Sequence, residues 1–350
     1  MPPTAPIRSL RILIVRLSAI GDVIHGLPVL CALREALPEV FLGWVVEGRA
    51  GDLLEGHPAL DALVRVPRGW LKSPREVWRL RRRLHDLKFD TAIDLQCLTK
   101  SAIAAWLSGA RRRIGKGGSD GRELSRWFHN ELVTCGGAHV IEHYLDLLGP
   151  LGITSPSVRF DLPERTEDAR MADEFLRASG LTAGRFALMN PGAGWPSKVW
   201  PAERYGELAR HLAKTHGVAS VAAWGMPSEL PLAEQIVAAS GGHARLAPPT
   251  SMTQLAALCR RAAIFVGSDT GPMHLAVAVG VPTISLHGPS RAEWCGAYGP
   301  ENIRLQVRYE EGSALERRKA DDSAMRAIDV ALVADACDRL LRNELARQCG

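Results

Sequence analysis

The residues from 268 to 276 have the types and spacing of an anion-binding helix start. This run reads Ser-Asp-Thr-Gly-Pro-Met-His-Leu-Ala, follows an apolar run at 262–266, and opens a stretch rich in Ala and Val. The first N–H groups of a helix lack intrahelical partners, and the helix dipole places roughly half a positive charge there. We expect the N–H groups of Thr270 and Gly271 to bind an anionic diphosphate. The alternative is that Asp269 or Thr270 only caps a core helix.

Three further polar side chains follow predicted buried strands. Asp22 follows the strand at 12–15, Lys198 follows the strand at 186–190, and Glu229 follows the strand at 218–224. At a helix start, Asp22 is either a cap or a carboxylate that accepts a proton in general-base catalysis. Lys198 follows a Gly-rich stretch but lacks the neighbouring Gly and Ser/Thr of a P-loop. It is therefore either a point charge for a phosphate group or a solvated surface lysine.

An alternation of strands and helices positions these residues. The first half has strands at 12–15, 40–46, 63–66 and 91–95, with helices at 23–37 and 75–87 and another from residue 100. The second half has strands at 186–190, 218–224, 264–266 and 283–286, with helices at 205–215, 230–240 and 255–262 and another after Pro272. This rhythm predicts an α/β fold of two Rossmann-like halves, whose parallel sheets face a central cleft.

A segment rich in Pro and charge at 154–166 separates the two series. We therefore predict one domain at 1–165, a second at 166–320, and a C-terminal segment at 321–350. Its helix, at 324–347, could pack back on either half; packing on the N-terminal domain is one of the two options, and periodicity alone does not decide between them. Two domains also fit the length of 350 residues, which exceeds what one hydrophobic core usually supports.

The composition is that of an ordinary globular protein, with 46% hydrophobic and 23% charged residues. A formal net charge of +5 mildly favours an anionic partner. Seven cysteines without a CxxC pair indicate no disulfide framework. No apolar run reaches the length of a signal-peptide core or a membrane span, so we expect a cytoplasmic protein that is still able to lie against a membrane surface.

Four motifs at predicted strand ends resemble, in the same order, those of the ADP-heptose:lipopolysaccharide heptosyltransferases, glycosyltransferase family 9. They lie at 18–28 (Ser-Ala-Ile-Gly-Asp and following), 94–101 (Asp-Leu-Gln-Cys), 190–201 (Asn-Pro-Gly-Ala through Lys-Val-Trp-Pro) and 269–274 (Asp-Thr-Gly-Pro-Met-His). The motifs of the first half are most similar to the heptosyltransferase I branch. One departure is Cys97, where glycine is usual.

The resemblance implies an inverting, metal-independent sugar transferase of the GT-B type that needs no cofactor. It implies transfer of heptose from ADP-heptose to the inner core of lipopolysaccharide, with Asp22 as the general base. The residues implied in nucleotide-sugar binding are Lys198, Glu229, Thr250, Ser251, Asp269, Thr270, Gly271, Pro272 and His274. Glu229 is similar to a nucleotide-contacting residue and is otherwise an ordinary first-turn glutamate. Thr250 and Ser251 resemble an adenine-pocket segment, and Ser251 is equally suited to cap the next helix.

Basic residues of the first half align with those that bind the acceptor in this family. They are Arg68, Lys72, Lys100 and Arg122, and the implied partner is an anionic, lipid-linked saccharide of the Kdo-lipid A type. Peripheral contact with the cytoplasmic face of the inner membrane follows from such an acceptor. Nucleic acid is not an expected partner, because no aromatic platform or binding motif accompanies the basic residues.

A possible zinc motif and three other functions remain as alternatives. His139, Glu142 and His143 match the H-x-x-E-H pattern of one zinc protease group, but no downstream acidic ligand is identifiable and we expect no metal. The nearest other function is a family 9 enzyme with a different acceptor or a later heptosyl transfer. A nucleotide-sugar epimerase, which needs no basic acceptor patch, and a non-catalytic nucleotide-sugar binding protein are the others.

Overall fold

The structure is a computed structural model that describes residues 10–118 and 124–348. The chain divides into two compact units, residues 1–163 and residues 164–350. Each unit contains one six-stranded sheet in which every strand runs parallel to its neighbours. The α/β class with two parallel sheets, predicted from the βαβ rhythm, is confirmed.

The first unit has the strand order β3-β2-β1-β4-β5-β6. Its strands are β1 (Arg11–Val15), β2 (Phe41–Glu47), β3 (Ala62–Val66), β4 (Thr91–Asp94), β5 (Arg112–Lys116) and β6 (Glu131–Val133). Its helices are α1 (Ile20–Ala36), α2 (Pro74–Leu87), α3 (Thr99–Leu107) and α4 (Val140–Asp146). The central strands β1 and β4 are buried and mostly apolar, because helices cover both faces of a parallel sheet.

The second unit has the strand order β12-β11-β10-β7-β8-β9. Its strands are β7 (Phe186–Asn190), β8 (Ala219–Ala222), β9 (Ala244–Leu246), β10 (Ile264–Ser268), β11 (Thr283–His287) and β12 (Ile303–Gln306). Its helices are α5 (Thr166–Ala178), α6 (Ala202–His216), α7 (Leu230–Ala239), α8 (Met252–Arg261), α9 (Gly271–Ala278), α10 (Ala292–Cys295), α11 (Ala314–Lys319), α12 (Ser323–Arg326) and α13 (Val330–Gln348).

The two sheets have the same strand order, 3-2-1-4-5-6, when the strands of each unit are numbered from one to six. The chain builds one side of the sheet from β1 outward and then crosses to β4, and it does the same from β7 to β10. In open α/β sheets a ligand binds outside the carboxyl ends of the strands at this point of reversal. The fold therefore places two candidate crevices, one beyond β1 and β4 and one beyond β7 and β10.

The first helix begins earlier than the sequence pattern predicts. We expected a turn through Asp22 and a helix from Val23, whereas α1 starts at Ile20. The carboxylate of Asp22 accepts the Ala19 N–H at 3.0 Å, which satisfies one of the free donors at the helix start. The helix therefore extends back toward β1 and takes in Asp22 in its first turn.

The C-terminal segment forms two helices instead of the one predicted at 324–347. The Asp329 carboxylate accepts the Leu332 N–H at 2.7 Å, so a new helix, α13, starts after the short α12. The buried side chains of α13 lie in the core of the second unit with Trp200 and Tyr205. The indole N–H of Trp200 donates to the Ile328 carbonyl at 2.8 Å and fixes the entry into α13. Of the two halves that the sequence left open, the helix thus packs on the second.

Within residues 10–118 and 124–348, no helix is both long enough and apolar enough to cross a bilayer.

The docking of α13 predicts a large difference between two leucines of this helix. Leu341 is 4% exposed and Leu332 is 38% exposed. Leu341→Ala leaves a cavity in the core and should lower the free energy of unfolding by about 2–5 kcal/mol. Leu332→Ala should cost less than about 1 kcal/mol. Urea unfolding of the two variants measures this, and equal losses would contradict the placement of the helix.

Candidate active site

Asp22 lies at the carboxyl end of β1, in the first turn of α1. Its Oδ2 atom accepts the Ala19 N–H and lies 2.5 Å from Nη2 of Arg16. The Asp22 side chain is 40% exposed, whereas that of Arg16 is 9% exposed. The carboxylate therefore caps the helix and remains accessible to solvent, so the capping and proton-accepting interpretations of Asp22 are compatible.

Arg16 is a charged residue of this site that the sequence analysis missed. Burial lowers the pKa of its guanidinium, but the Tyr144 phenol and the Asp22 carboxylate raise that pKa by more. The guanidinium also lies 5.6 Å from the ring centre of Tyr144. Arg16 is thus a buried, permanent charge that orients Asp22. An arginine directly after four buried apolar residues of β1 is the sequence signal that points to it.

The Asp-x-Gln motif at the end of β4 fixes the loop between β1 and α1, which leads directly to Asp22. The side-chain carbonyl of Gln96 accepts the Leu17 N–H at 3.0 Å, next to Arg16. Asp94 is fully buried and its carboxylate accepts four hydrogen bonds. The donors are the N–H groups of Gln96 and Cys97, the Ser101 hydroxyl and Nε2 of His129. The motif therefore joins the loops that follow the two central strands of the first sheet.

Glu47 brings together residues that the resemblance assigns to the acceptor. One carboxylate oxygen of Glu47 lies 2.6 Å from Nζ of Lys100, and the other accepts the N–H of the residue after Arg68 at 3.2 Å. Glu47 is at the end of β2, and its side chain is 8% exposed. Arg68 and Lys72 are exposed on the loop that follows β3. Arg122, the fourth predicted acceptor residue, lies outside the described residues.

The H-x-x-E-H segment forms the start of α4. Nδ1 of His139 accepts the Ile141 N–H, and the Glu142 carboxylate accepts the N–H of His139. Nε2 of His143 lies 2.7 Å from the Gly137 carbonyl oxygen. Each of the three side chains of the motif is thus engaged with the backbone around this helix start, which gives the pattern a structural explanation.

The start of α9 has free backbone N–H groups of the kind that the sequence analysis expects to bind an anion. The helix begins at Gly271, and the side chain of the N-cap residue, Thr270, makes no capping hydrogen bond. Pro272 has no N–H, and the next two N–H groups donate to the Thr270 carbonyl. Among the described residues, the donors left at this helix start are the N–H groups of Thr270 and Gly271. The alternative that Asp269 or Thr270 caps the helix with its side chain is wrong.

The carboxylate of Asp269 binds Lys198 and His274 instead. Asp269 is 8% exposed; Oδ2 lies 2.6 Å from Nζ of Lys198, and Oδ1 lies 3.2 Å from Nε2 of His274. Burial raises the pKa of Asp269, but the hydrogen bond of His274 and the charge of Lys198 outweigh it and hold that pKa well below its usual range. The ion pair places the Lys198 ammonium beside the loop that opens α9, where it adds to the positive potential of the helix start.

Glu229 lies against the loop that follows β7. Its Oε2 atom accepts the N–H groups of Gly225 and Met226 at 2.9 and 3.0 Å. A Cβ atom at Gly192 would lie 2.4 Å from Oε1 of Glu229, so only glycine leaves room for the carboxylate in this position. Glu229 is therefore hydrogen-bonded within the loop after β8 and packs against the loop after β7, and its role in nucleotide binding stays a prediction.

Thr250 and Ser251 have different structural roles. The Thr250 hydroxyl donates to the Trp224 carbonyl at 3.1 Å, which holds it beside the loop that carries Glu229. The Ser251 hydroxyl accepts the Gln254 N–H, and the Gln254 side chain accepts the Ser251 N–H. This reciprocal pair is a capping box, so the capping role predicted as one alternative for Ser251 is present.

His287 and Cys295 lie beside Asp269 and belong to the same cluster as Lys198 and His274. The sequence analysis missed both residues. Sγ of Cys295 lies 3.5 Å from Oδ2 of Asp269. His287, at the end of β11, is fully buried, and its ring nitrogens lie 3.2 and 3.0 Å from the hydroxyls of Ser290 and Ser285. Burial lowers the pKa of His287 to about 4, although the Asp269 charge opposes the shift. The ring is therefore neutral near pH 7.

Two parallel sheets with polar residues collected at their reversal points are typical of Rossmann-like α/β proteins, a class in which many members bind nucleotides. The model of glycosyltransferase family 9 (heptosyltransferase) matches residues 77–324. The chain is also 31% identical to lipopolysaccharide heptosyltransferase 1 of Pseudomonas aeruginosa, over 85% of this chain and 83% of that protein. The chain therefore belongs to glycosyltransferase family 9 and is a glycosyl-transferring enzyme.

Solved structures have the same fold. A glycosyltransferase family 9 protein of Veillonella parvula is 26% identical with a TM-score of 0.84, and the match covers 95% of this chain and 98% of that one. The E. coli heptosyltransferase WaaC with ADP-2-deoxy-2-fluoro heptose is 24% identical with a TM-score of 0.73, and the match covers 94% and 99%. The predicted GT-B fold class is confirmed by these likenesses.

The buried, neutral His287 predicts a loss of stability in acid. An unfolded histidine binds a proton below a pKa of about 6.5, whereas folded His287 does so only below about 4. The contribution is complete above pH 6.5 and falls by about 1.4 kcal/mol per pH unit as the pH drops, roughly 3 kcal/mol in all. Between pH 7 and pH 4, the wild type should lose roughly 3 kcal/mol more than His287→Gln.

Urea unfolding at a series of pH values measures this difference. The matched control is His243→Gln, which replaces an exposed histidine of the same unit and should follow the wild type. Parallel stability curves for the wild type and His287→Gln would contradict the neutral state of His287.

Proposed function

We propose that this enzyme transfers heptose from ADP-heptose to the inner core of lipopolysaccharide. The observation that supports the proposal is the start of α9, where the N–H groups of Thr270 and Gly271 and the Lys198 ammonium, which is paired with Asp269, offer positive groups that suit a diphosphate. Because the chain belongs to glycosyltransferase family 9, we take the bound anion to be the diphosphate of a nucleotide sugar. The similar proteins named lipopolysaccharide heptosyltransferase 1, and the WaaC structure with an ADP-heptose analogue, support heptose as the sugar and ADP as the nucleotide.

In the donor half of the proposed reaction, the second unit holds the nucleotide sugar. The N–H groups of Thr270 and Gly271 and the Lys198 ammonium bind the diphosphate and stabilise the charge that develops on it as ADP leaves. Asp269 acts indirectly, because it fixes Lys198 and His274. Oε1 of Glu229, whose other oxygen is used by backbone N–H groups, accepts a ribose hydroxyl. Thr250 and Ser251 line the adenine side.

In the acceptor half, Asp22 is the general base of an inverting transfer. Oδ2 of Asp22 is bound by Arg16 and the Ala19 N–H, so Oδ1 takes the proton of the acceptor hydroxyl. The acceptor oxygen forms its bond to the anomeric carbon as the bond from that carbon to the diphosphate breaks, and ADP departs with the electron pair. A single displacement of this kind inverts the anomeric centre. The positive charges of the donor half replace a metal ion, so we propose a metal-independent reaction without a cofactor.

The acceptor of this proposal is an anionic, lipid-linked saccharide of the Kdo-lipid A type. Arg68 and Lys72 are exposed on the segment after β3 that Glu47 links to Lys100 through the Gly69 N–H, and these cations suit sugar acids and phosphates. Lys100 alone is already paired with a carboxylate, so an acceptor acid has to share or displace that contact. Arg68 and Lys72 are therefore the cations that contribute most to acceptor binding.

A lipid-linked acceptor places the first unit at a membrane surface, and helix α2 suits such a contact. Its exposed cations are Arg75, Arg79, Arg81, Arg82 and Arg83. Trp78, on the same helix, is 59% exposed with Arg82 stacked over its ring. Cations and an exposed indole on one helix are features of segments that lie at the headgroup level of anionic bilayers. We therefore include peripheral contact with the inner membrane in the proposal.

The proposal predicts ADP release that depends on both substrates. Purified protein with ADP-heptose and heptose-deficient lipopolysaccharide should release ADP, and omission of the lipopolysaccharide should reduce release to the background. Epimerised donor without acceptor would instead favour an epimerase, and tight donor binding without turnover would favour a non-catalytic binding protein. A coupled ADP assay with analysis of the donor sugar separates the three outcomes.

Two substitutions should separate chemistry from donor binding. Asp22→Asn cannot take a proton and should lower turnover by at least about 100-fold while ADP affinity stays unchanged. Lys198→Met removes a charge-assisted hydrogen bond worth about 1.5–3 kcal/mol and should weaken ADP binding about 10- to 100-fold. Lys198→Arg keeps the positive charge and should weaken ADP binding less than Lys198→Met does.

The matched control is Asp52→Asn, which removes an exposed carboxylate of the first unit that pairs with Arg65. It should keep wild-type turnover. Calorimetric titration with ADP and initial rates measure both effects, with thermal unfolding as the check on folding. Rapid turnover by Asp22→Asn would exclude Asp22 as the base.

A further inference from the structure

A second cluster of metal-binding residue types lies where the C-terminal helix α13 packs on α6. His211 and His216 belong to α6, and Asp338 belongs to α13. Nε2 of His211 lies 2.9 Å from Oδ1 of Asp338, and Nε2 of His216 lies 2.7 Å from the same oxygen. All three ligand atoms are within 4.8 Å of one another. Two imidazole nitrogens from one helix thus converge on one carboxylate oxygen from another.

We infer that His211, His216 and Asp338 bind a divalent late first-row transition-metal ion such as Zn²⁺. Imidazole and carboxylate are ligands that Zn²⁺ accepts in proteins, and water completes a three-ligand site. In a tetrahedral site with Zn–N bonds of about 2.0–2.1 Å, donor atoms are about 3.3 Å apart. The observed N···O distances need to open by only a few tenths of an ångström. The side chains are 34%, 12% and 17% exposed, so the ion and its water reach them from solvent.

The hydrogen bonds at this cluster also show why a cation suits it. An ionised carboxylate only accepts hydrogen bonds, so both imidazoles donate to the same Asp338 oxygen through Nε2–H. A divalent cation at the centre takes the place of the two Nε2 protons, and each neutral ring then carries its proton on Nδ1.

Two other clusters of this kind occur among the described residues, and both are already filled by groups of the protein. They are Asp94 with Cys97 and His129, and Asp269 with His287 and Cys295. The carboxylate of Asp94 accepts four hydrogen bonds in a fully buried position. That of Asp269 is paired with the Lys198 ammonium, which repels a second cation. The cluster of α6 and α13 has neither obstacle.

Binding of the ion ties the C-terminal helix to the body of the second unit. His216 is the last residue of α6, and Gly217 follows in the left-handed conformation, so the imidazole lies where the helix ends. Asp338 lies midway along α13, beside the buried Cys337 that belongs to the core. An ion that binds the folded chain and not the separated helices stabilises the fold by mass action. The role is structural, and it does not rest on the function proposed above.

The test uses full-length protein stripped of metal with a chelator and titrated with Zn²⁺ or Co²⁺ alone. Wild type should bind about one ion per chain at this site, and its melting temperature should rise by several degrees. His211→Gln, His216→Gln and Asp338→Asn should each weaken binding at least about 100-fold, since loss of an outer partner alone costs about 10- to 100-fold. Glutamine keeps an N–H donor toward Asp338, which preserves the contact between the helices.

The control is His243→Gln, an exposed histidine of the same unit, which should bind Zn²⁺ as the wild type does. The Co²⁺ spectrum should lack thiolate charge transfer, because the three ligands are nitrogen and oxygen atoms. Wild-type protein without saturable binding, variants that bind as tightly as the wild type, or a thiolate band would each overturn the inference.

Discussion

The open crevice at the reversal point of each parallel sheet is the constraint on which the sites of this protein depend. Helices on both faces of a sheet leave only the carboxyl ends of the central strands uncovered, because the connections on either side lead away from each other. The loops after β1 and β4 carry Asp22 and Gln96. The loops after β7 and β10 carry Lys198 and Thr270. Residues that are far apart in the chain lie close together there, because the order of the strands places β1 next to β4 and β7 next to β10. The local sequence does not determine this proximity.

Each unit contains an ion pair in which a buried charged side chain holds a more exposed one. The buried member is an anion in the second unit and a cation in the first. In the second unit a carboxylate that is nearly buried, Asp269, holds a lysine whose charge is directed to the helix start. In the first unit a buried arginine, Arg16, holds a carboxylate that is 40% exposed. A buried charge without a partner costs several kcal/mol, so the hidden member of each pair fixes its exposed partner strongly. The group to which we assign a role in the proposed reaction is in each case the more exposed of the two, and its position is set by the other.

The strands and the order of the helices could be read from the sequence, whereas some helix starts and the ion pairs could not. The apolar runs of β1, β7 and β10 and the glycine-containing turn before α9 are local patterns, and each was predicted near its observed bounds. The partner of Asp269 is 71 residues away, and nothing in the local sequence distinguishes a capping aspartate from one that holds Lys198. Arg16 was overlooked for the same reason, since an arginine at a strand end looks solvated until Asp22 and the Tyr144 ring are seen beside it.

Cys97, which stands where the family pattern usually has glycine, has a structural explanation. Its φ angle is +52°, in the left-handed region that favours glycine and costs other residues roughly 1–2 kcal/mol. The thiol offsets part of this cost, because it donates to the Asp94 carbonyl and accepts the Lys116 N–H. Burial raises the pKa of the thiol, so it stays protonated as a donor. Since Cys97 is 1% exposed, it contributes to the support behind the Asp22 loop and has no surface with which to select an acceptor.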